Sequence, residues 1–519
     1  MADKEPASTL LPRLTCRFPR EESLVGERVT TTSLKFDGAD RERFRARLAD
    51  CQRALERMLA DGRFDRGRAL AGVELELVLI DEDGKPVMAN GEVLGAIASP
   101  DFQTELGIFN LELNMAPAPL RGAVFSHMAE QIRIAVAYAD RAAHAACGAH
   151  VTAIGILPTL HPDDMVRENF SADDRFTVLN DQIIGVRGED IRLKIDGPEP
   201  LDASFGTILP EAANTSVQFH LQVRAENFAA AWNAAQAAAG PQLALGANSP
   251  LLFGRRLWHE TRIALFEQAT DLRPVELVAQ GVRPRVWFGE RWITDAAELF
   301  RENRTYFTAL LPRVDGDEEP GAALAAGRVP RLPELRLHNG TVYRWNRPVY
   351  DVANGRPHLR VENRVMPAGP TAADIAANAA FFYGLTRELT EQDPPVWQRL
   401  SFAAARSNLH AAARDGIRAR LVWPDRGEIR ADRLALDELL PLAASGLDRW
   451  GVDPADRDEY LGIIEGRVRT RRTGAVWQLD QLAALERRGL SRDKALAALV
   501  ARYAQLARGG DPVHTWPVD

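Results

Sequence analysis

An α+β fold is predicted for this chain, on three observations. Strand-like runs with one apolar and one polar face recur from Gly72 to about Pro370. Helical periodicity alternates with them over the same stretch. After Thr371, a good N-cap, the pattern becomes strongly helical. The 519 residues therefore divide into an N-terminal strap and helix over 1–70, a sheet domain over 71–370 and an α-helical C-terminal segment over 371–519.

In chain order, residues 1–38 are Pro-rich and irregular and read as a strap over the surface. From Ala39 to about Arg63, Phe44, Leu48, Cys51, Leu55 and Leu59 fall near helical spacing. The run from Val73 to Ile80 reads as a strand that ends in the turn Asp81-Glu82-Asp83-Gly84. That turn lacks the later ligands of a calcium loop. Helices are expected over Gly122 to Gly148, Ala225 to Ala239 and Arg256 to Thr270, and a loop from Glu318 to Pro333. The alanines from Ala229 to Ala239 suit close helix packing. Beyond Thr371, helices are expected over Ala372 to Thr390, Val396 to Asp415, Leu434 to Trp450, and onward to Ala507.

Bulk properties exclude several classes. A net charge of −8 argues against nucleic acid as the main partner, because phosphate backbones demand excess positive charge. No run of about 18 uncharged apolar residues could span a bilayer, so no membrane is expected. Three scattered cysteines, Cys16, Cys51 and Cys147, fit a reducing compartment. Met1 to Arg20, broken by charges and prolines, has no apolar signal core; the cytoplasm is the expected location. The only lysines are Lys4, Lys35, Lys85, Lys194 and Lys494. Bound phosphate would therefore meet arginine, backbone amides or metal. There is no GxxxxGK[ST], no GxGxxG after a strand, no GxSxG and no HExxH.

The informative feature is what the polar strand faces carry. Val73, Leu75 and Leu77 alternate with Glu74 and Glu76. Phe109, Leu111 and Leu113 alternate with Asn110, Glu112 and Asn114, with Glu105 upstream. Val217, Phe219 and Leu221 alternate with Ser216, Gln218, His220 and Gln222. Leu359 and Val361 alternate with Arg360, Glu362 and Arg364. One such strand is what any half-solvated antiparallel sheet shows. Carboxylates repeated on a shared face repel one another unless a cation neutralises them. Hard divalent cations such as Mg²⁺ take oxygen ligands and share them with substrate phosphates, and arginines beside them can bind phosphate bidentately.

The order GxExE (Gly72 to Glu76), then Glu105 with Asn110-x-Glu112, then SxQFHxQ (Ser216 to Gln222), then RxExRxxP (Arg360 to Pro367) resembles the glutamate–cysteine ligases. The match is nearest to their carboxylate–amine ligase branch, with glutamine synthetase a more distant likeness. Ala247-Asn248-Ser249-Pro250, Thr341 to Arg347 and Arg472 to Gln478 extend it over roughly 72–478. The resemblance implies a curved antiparallel sheet forming a funnel, the glutamine synthetase-like catalytic fold, with helices outside and metals on the inner face. The sheet domain would then be catalytic, and the C-terminal helices would complete its site. Glu74, Glu76, Glu105, Glu112, His220 and Glu362 would hold two or more Mg²⁺ ions, or Mn²⁺. Arg364, with Arg344 or Arg347, would contact phosphates or the transferred phosphoryl group. Asn346 and Arg414 would also serve the nucleotide, with Asn408 near the substrate.

The implied reaction uses ATP as co-substrate. It phosphorylates the γ-carboxylate of glutamate, and an amine such as cysteine attacks the resulting acyl phosphate. The general base is not legible in the sequence. Two other readings stay open, a guanidino kinase on the same scaffold and a non-catalytic nucleotide-binding relative. A homo-oligomer is compatible with the resemblance. Outside these motifs, His259 and Glu260 read most simply as a packing or surface pair on a helix, with Arg262 an alternative contact for a substrate carboxylate. Trp258, Trp345 and Trp477 read as packing, and Arg467, Arg469, Arg471 and Arg472 as a solvated or salt-bridged face.

Overall fold

The computed structural model describes residues 36–67, 69–314, 316 and 318–519. The expected strap over 1–38 lies almost wholly outside the described residues. The expected helix is present as α1 (Gly38–Ala60), begun by a capping box between Asp37 and Asp40.

Seven strands form one antiparallel sheet: β1 (Leu70–Ile80), β2 (Phe102–Thr104), β3 (Asn110–Pro119), β4 (His150–Thr152), β5 (Val217–Val223), β6 (Asn346–Ala353) and β7 (Arg356–Asn363). Their order is β6-β7-β5-β1-β3-β2, and β4 pairs with the end of β1. At Gly72 the β1–β3 register slips, since Ala71 faces Ala118 while Val73 faces Met115. The extra residue on β3 is a bulge, which bends and twists a sheet locally. The sheet curls into a half-barrel, the funnel-like form expected.

Period-two alternation then sorts the side chains. Leu75, Leu77, Leu111, Phe219 and Val361 are essentially inaccessible to solvent and face the helices. The principal helices outside the sheet are α2 (Val124–Cys147), α3 (Phe228–Gly246), α4 (Thr261–Ala269), α5 (Ala372–Glu391), α6 (Phe402–Asp415), α7 (Leu440–Trp450), α8 (Pro454–Thr470), α9 (Gly474–Arg487) and α10 (Arg492–Gly509), of which α2, α3 and α5 pack against its strands. Tyr383 of α5 donates 3.1 Å hydrogen bonds that the Gly72 and His220 carbonyls accept, fastening this layer behind the polar face. The alanine run of α3 does serve close packing: a Cβ on Gly240 would lie 2.7 Å from Asn408 of α6.

Three expectations change in detail. The segment Glu318 to Pro333 is not all loop, because Pro320–Ala325 forms a short helix with proline in its first turn. Val396 to Asp415 is two helices, split where Ser401 caps the second through the Ala404 amide. The helix expected from Arg256 starts only at Thr261, because Leu251–Leu252 and Arg255–Arg256 pair as a small ribbon and Ser249 bridges Glu260.

Candidate active site

Strand register builds the polar face row by row. Arg347 is paired with Glu362, and Glu362 with His220. In the next row Gln218 is paired with Glu74, and Glu74 with Asn114. In the third row Glu76 is paired with Glu112, and Glu112 with Gln103. Glu105 reaches the same place from the loop between β2 and β3. One sheet surface thus gathers the four glutamates, His220 and Glu362.

The two ends of this surface are solvated differently by protein. At one end, ligand atoms of Glu76, Glu105 and Glu112 lie within 4.8 Å of one another. Glu76 accepts hydrogen bonds from the Ser216 amide (2.6 Å), the Ser216 hydroxyl (3.0 Å) and Gln218 Nε2 (3.1 Å). Glu112 accepts from Asn114 Nδ2 at 2.7 Å and from Gln103. These donors orient the carboxylates without neutralising them. Burial and the neighbouring Glu105 push Glu76 up to about 7, against the pull of Arg364. Burial and the charges of Glu74, Glu105 and Glu76 push Glu112 well above the usual carboxylate range.

At the other end, Glu362 is fully buried and held by Arg347 at 2.8 Å and Arg364 at 2.7 Å. Burial disfavours its charge, yet Arg347, Arg364 and His220 hold its carboxyl well below the usual range. His220 Nε2 lies 3.0 Å from Glu74 Oε1. Burial pushes Glu74 up, but His220 outweighs it and the carboxyl sits below its ordinary value. Arg364 also donates to Gln218 at 2.7 Å, while its buried Nε has no hydrogen-bond partner among the described residues.

Four assigned residues are not brought to this face. Asn346 precedes Arg347 in the same strand, so the two side chains point to opposite faces. Asn346 is buried among the helices, bonded to Gln236 (2.7 Å) and Asn363 (2.8 Å). Arg344 belongs to a separate two-stranded pairing with Val286–Trp287. Its guanidinium is buried over Trp287, paired with Glu302 at 3.0 Å and bonded to Asn303. Arg414, at the end of α6, is half exposed and lies over Trp258. Asn408 is spent on the backbone of Val422, donating to its carbonyl and accepting from its amide at 2.8 Å.

The outlying motifs form a scaffold behind the site. Asn248 donates to the Ala368 carbonyl and accepts from Gln478, and its amide donates to Glu260. Glu260 pairs with Arg262 at 3.1 Å. His259 and Glu260 precede α4 and are not on a helix. Of the two readings of the arginine run, the salt-bridged one holds for Arg467, which is buried against Asp374 at 2.7 Å, and for Arg471, paired with Asp432 at 3.2 Å. One acidic residue close to the cluster went unremarked in the sequence. Glu211 sits in the 3-10 turn Leu209–Ala213, where burial and then Glu105 and Glu76 push its carboxyl up to about 8. An isolated glutamate in a Pro-containing turn gives no periodic signal.

Comparison with known proteins places this geometry. No curated protein matches the chain. Among solved structures, it is similar to a glutamate–cysteine ligase from Francisella tularensis in complex with AMP, at 13% identity and a TM-score of 0.54, covering 88% of this chain and 91% of that one. A bifunctional glutathione synthetase from Pasteurella multocida (12% identity, TM-score 0.42, 88% and 55% covered) and the ligase PafA in complex with the ubiquitin-like protein Pup (12%, 0.38, 83% and 71%) agree too loosely to carry an argument. The sequence pattern of glutamate-cysteine ligase family 2 (GCS2) matches residues 70–488, which include every strand of the sheet and both ends of the polar face. The chain belongs to glutamate-cysteine ligase family 2.

Proposed function

We propose that this protein is an ATP- and Mg²⁺-dependent ligase that joins the γ-carboxylate of glutamate to an amine through an acyl phosphate, with cysteine the first amine to test. The observation that carries the reading is the pairing, on one sheet face, of an under-neutralised carboxylate cluster with an arginine pair clamped by Glu362. Family membership supports carboxylate–amine ligation as the reaction type; cysteine, ATP and the metal belong to this proposal.

The donor set fits hard divalent cations. It is almost all carboxylate oxygen, three carboxylates have ligand atoms within 4.8 Å of one another, and burial together with neighbouring acids favours protonation of Glu76 and Glu112 while no cation is bound. Glu76, Glu105 and Glu112 would hold one ion, and Glu74, His220 and Glu362 would hold another beside the phosphates. Bound Mg²⁺ supplies charge neutralisation for phosphoryl transfer. The side chains do the rest. Glu362 fixes Arg347 and Arg364 so that their remaining N–H groups can receive phosphate oxygens without reorganising. The unpartnered Nε of Arg364 is a donor suited to that use. Gln218 and Ser216 hold Glu76 at one orientation. Exclusion of water protects the acyl phosphate from hydrolysis.

The test is ATP consumption with Mg²⁺ and glutamate against a panel of amines, with product masses recorded. ADP together with a product of glutamate plus amine minus water is the expected result. ADP with a phosphorylated acceptor would establish a kinase instead, and Mg·ATP binding without turnover of any pair would overturn the glutamate assignment.

A further inference from the structure

Behind the sheet, at the rim where β1 begins and β3 and β5 end, lies a cleft of about 640 Å³. Leu221 and Val223 line it from the apolar phase of β5, so they point away from His220 and the polar face. Its opposite wall is the end of α5, with Thr386, Arg387 and Glu391, and the end of α7, with Arg449 and Trp450. Neither the polar-face glutamates nor His220, Arg347 or Arg364 line it.

Strand register delivers two arginines to this cleft. Ala71 of β1 is paired with Ala118 of β3 on one side and with Leu221 of β5 on the other. Arg121 and Arg224, three residues beyond those partners, leave the sheet at the same end on either side of β1. Two strand spacings separate their backbones, about 10 Å. Both arginines line the cleft and are exposed, and neither guanidinium has a hydrogen bond or ion pair among the described residues.

The remaining charges are already engaged. Arg387 pairs with Glu391 at 2.6 Å and lies 4.4 Å over the Trp450 ring. Arg449 reaches Glu391 at 3.0 Å and Glu388 at 2.9 Å. Asp65, the other acid of the lining, accepts from the Gly67 amide at 3.1 Å and from Gln222 Nε2 at 3.4 Å. Two buried donors stay open within this frame. Arg387 Nε has no partner among the described residues, nor has the hydroxyl of Thr386, a residue only 1% exposed. Unpaired buried donors cost free energy that a ligand with acceptors can return. Guanidiniums and a hydroxyl together answer oxyanions.

We propose that this cleft is a second ligand site, taking a small molecule with two oxyanion groups, carboxylate or phosphate, met by Arg121 and Arg224. The sheet lies between it and the polar face, so the site stands whatever the chain ligates.

Equilibrium titration of the full-length protein, without Mg²⁺ or turnover, tests the assignment. The probes are citrate, pyrophosphate and, as a monoanion, acetate. Saturable binding of citrate or pyrophosphate with a dissociation constant below about 1 mM is expected, and the tighter of the two identifies the group as carboxylate or phosphate. Acetate should bind about tenfold more weakly, since it can meet only one arginine. Arg121→Gln and Arg224→Gln together should weaken the binding by about tenfold or more. Their melting temperature should not change, because both side chains are exposed and unpaired. Thr386→Val removes only the buried hydroxyl, and should weaken the same binding if the double variant folds poorly. Binding that is unchanged in both variants would put the anion elsewhere, beside Arg347 and Arg364, and overturns the proposal. Acetate bound as tightly as the other probes overturns it too, as does a wild type that binds none of them.

Discussion

The two ends of the polar face use the same residue type to opposite effect. Glu362 is buried with two arginines and a histidine, and its negative charge is favoured. Glu76 and Glu112 are buried with other carboxylates, and their charge is resisted. Burial is nearly equal at the two places, at 0% exposed for Glu362 against 8% and 4%. Neighbouring charge therefore decides the difference, and desolvation does not. On the proposed function, the internally neutralised end would fix the arginines that meet phosphate, and the end left in deficit would depend most on a bound cation, at a cost to the metal-free protein.

The largest effect that would break this contrast is on activity. Glu76→Gln should lower ATP-dependent product formation by roughly a thousandfold, because one oxygen ligand with charge is lost where phosphoryl charge is stabilised. The same variant should raise the melting temperature of the metal-free protein, since it removes repulsion. A lower melting temperature would show that Glu76 is already neutralised. Glu362→Gln should act in the reverse sense. It strands two arginines around a buried neutral side chain, and denaturant titration should record a loss of about 3–5 kcal/mol.

Metal binding should discriminate next. Mg²⁺ at about a hundredfold excess over its dissociation constant should add roughly 2.7 kcal/mol, read as a rise in melting temperature. Glu112→Gln should remove most of that rise. The mildest test is pH. The Glu76 carboxyl is raised from 4.5 to about 7 on folding, so between those values the folded state binds more protons than the unfolded one. Stability of the metal-free protein should then fall as pH climbs from about 5 to about 7. Saturating Mg²⁺ should flatten that slope, and a rise of stability with pH across this window would contradict the cluster's repulsion.

Much of this contrast was legible in strand alternation. Glu74, Glu76, Glu112, His220 and Glu362 each occupy the polar phase of a period-two run, and their convergence requires only that the strands share a sheet. The assignment of Asn346 beside Arg347 erred against that same rule, since adjacent strand residues cannot share a face. Arg344 was misplaced for a different reason. Its partners Glu302 and Asn303 lie about 40 residues upstream, and no local pattern announces such a contact. Glu211 sits in a turn that gives no periodicity at all.

By itself, then, the sequence determined which residues lie on the wet side of each strand, because side-chain direction in a strand depends only on parity along the chain. It also determined that the C-terminal third is helical, through Thr371 capping α5 and the apolar spacing beyond. Only the tertiary structure decided which acids are neutralised and which are not. That depends on strand order and register, which bring Arg347 beside Glu362 and Glu112 beside Glu76. Electrostatic energies follow distance and burial in space, and neither is a property of sequence separation.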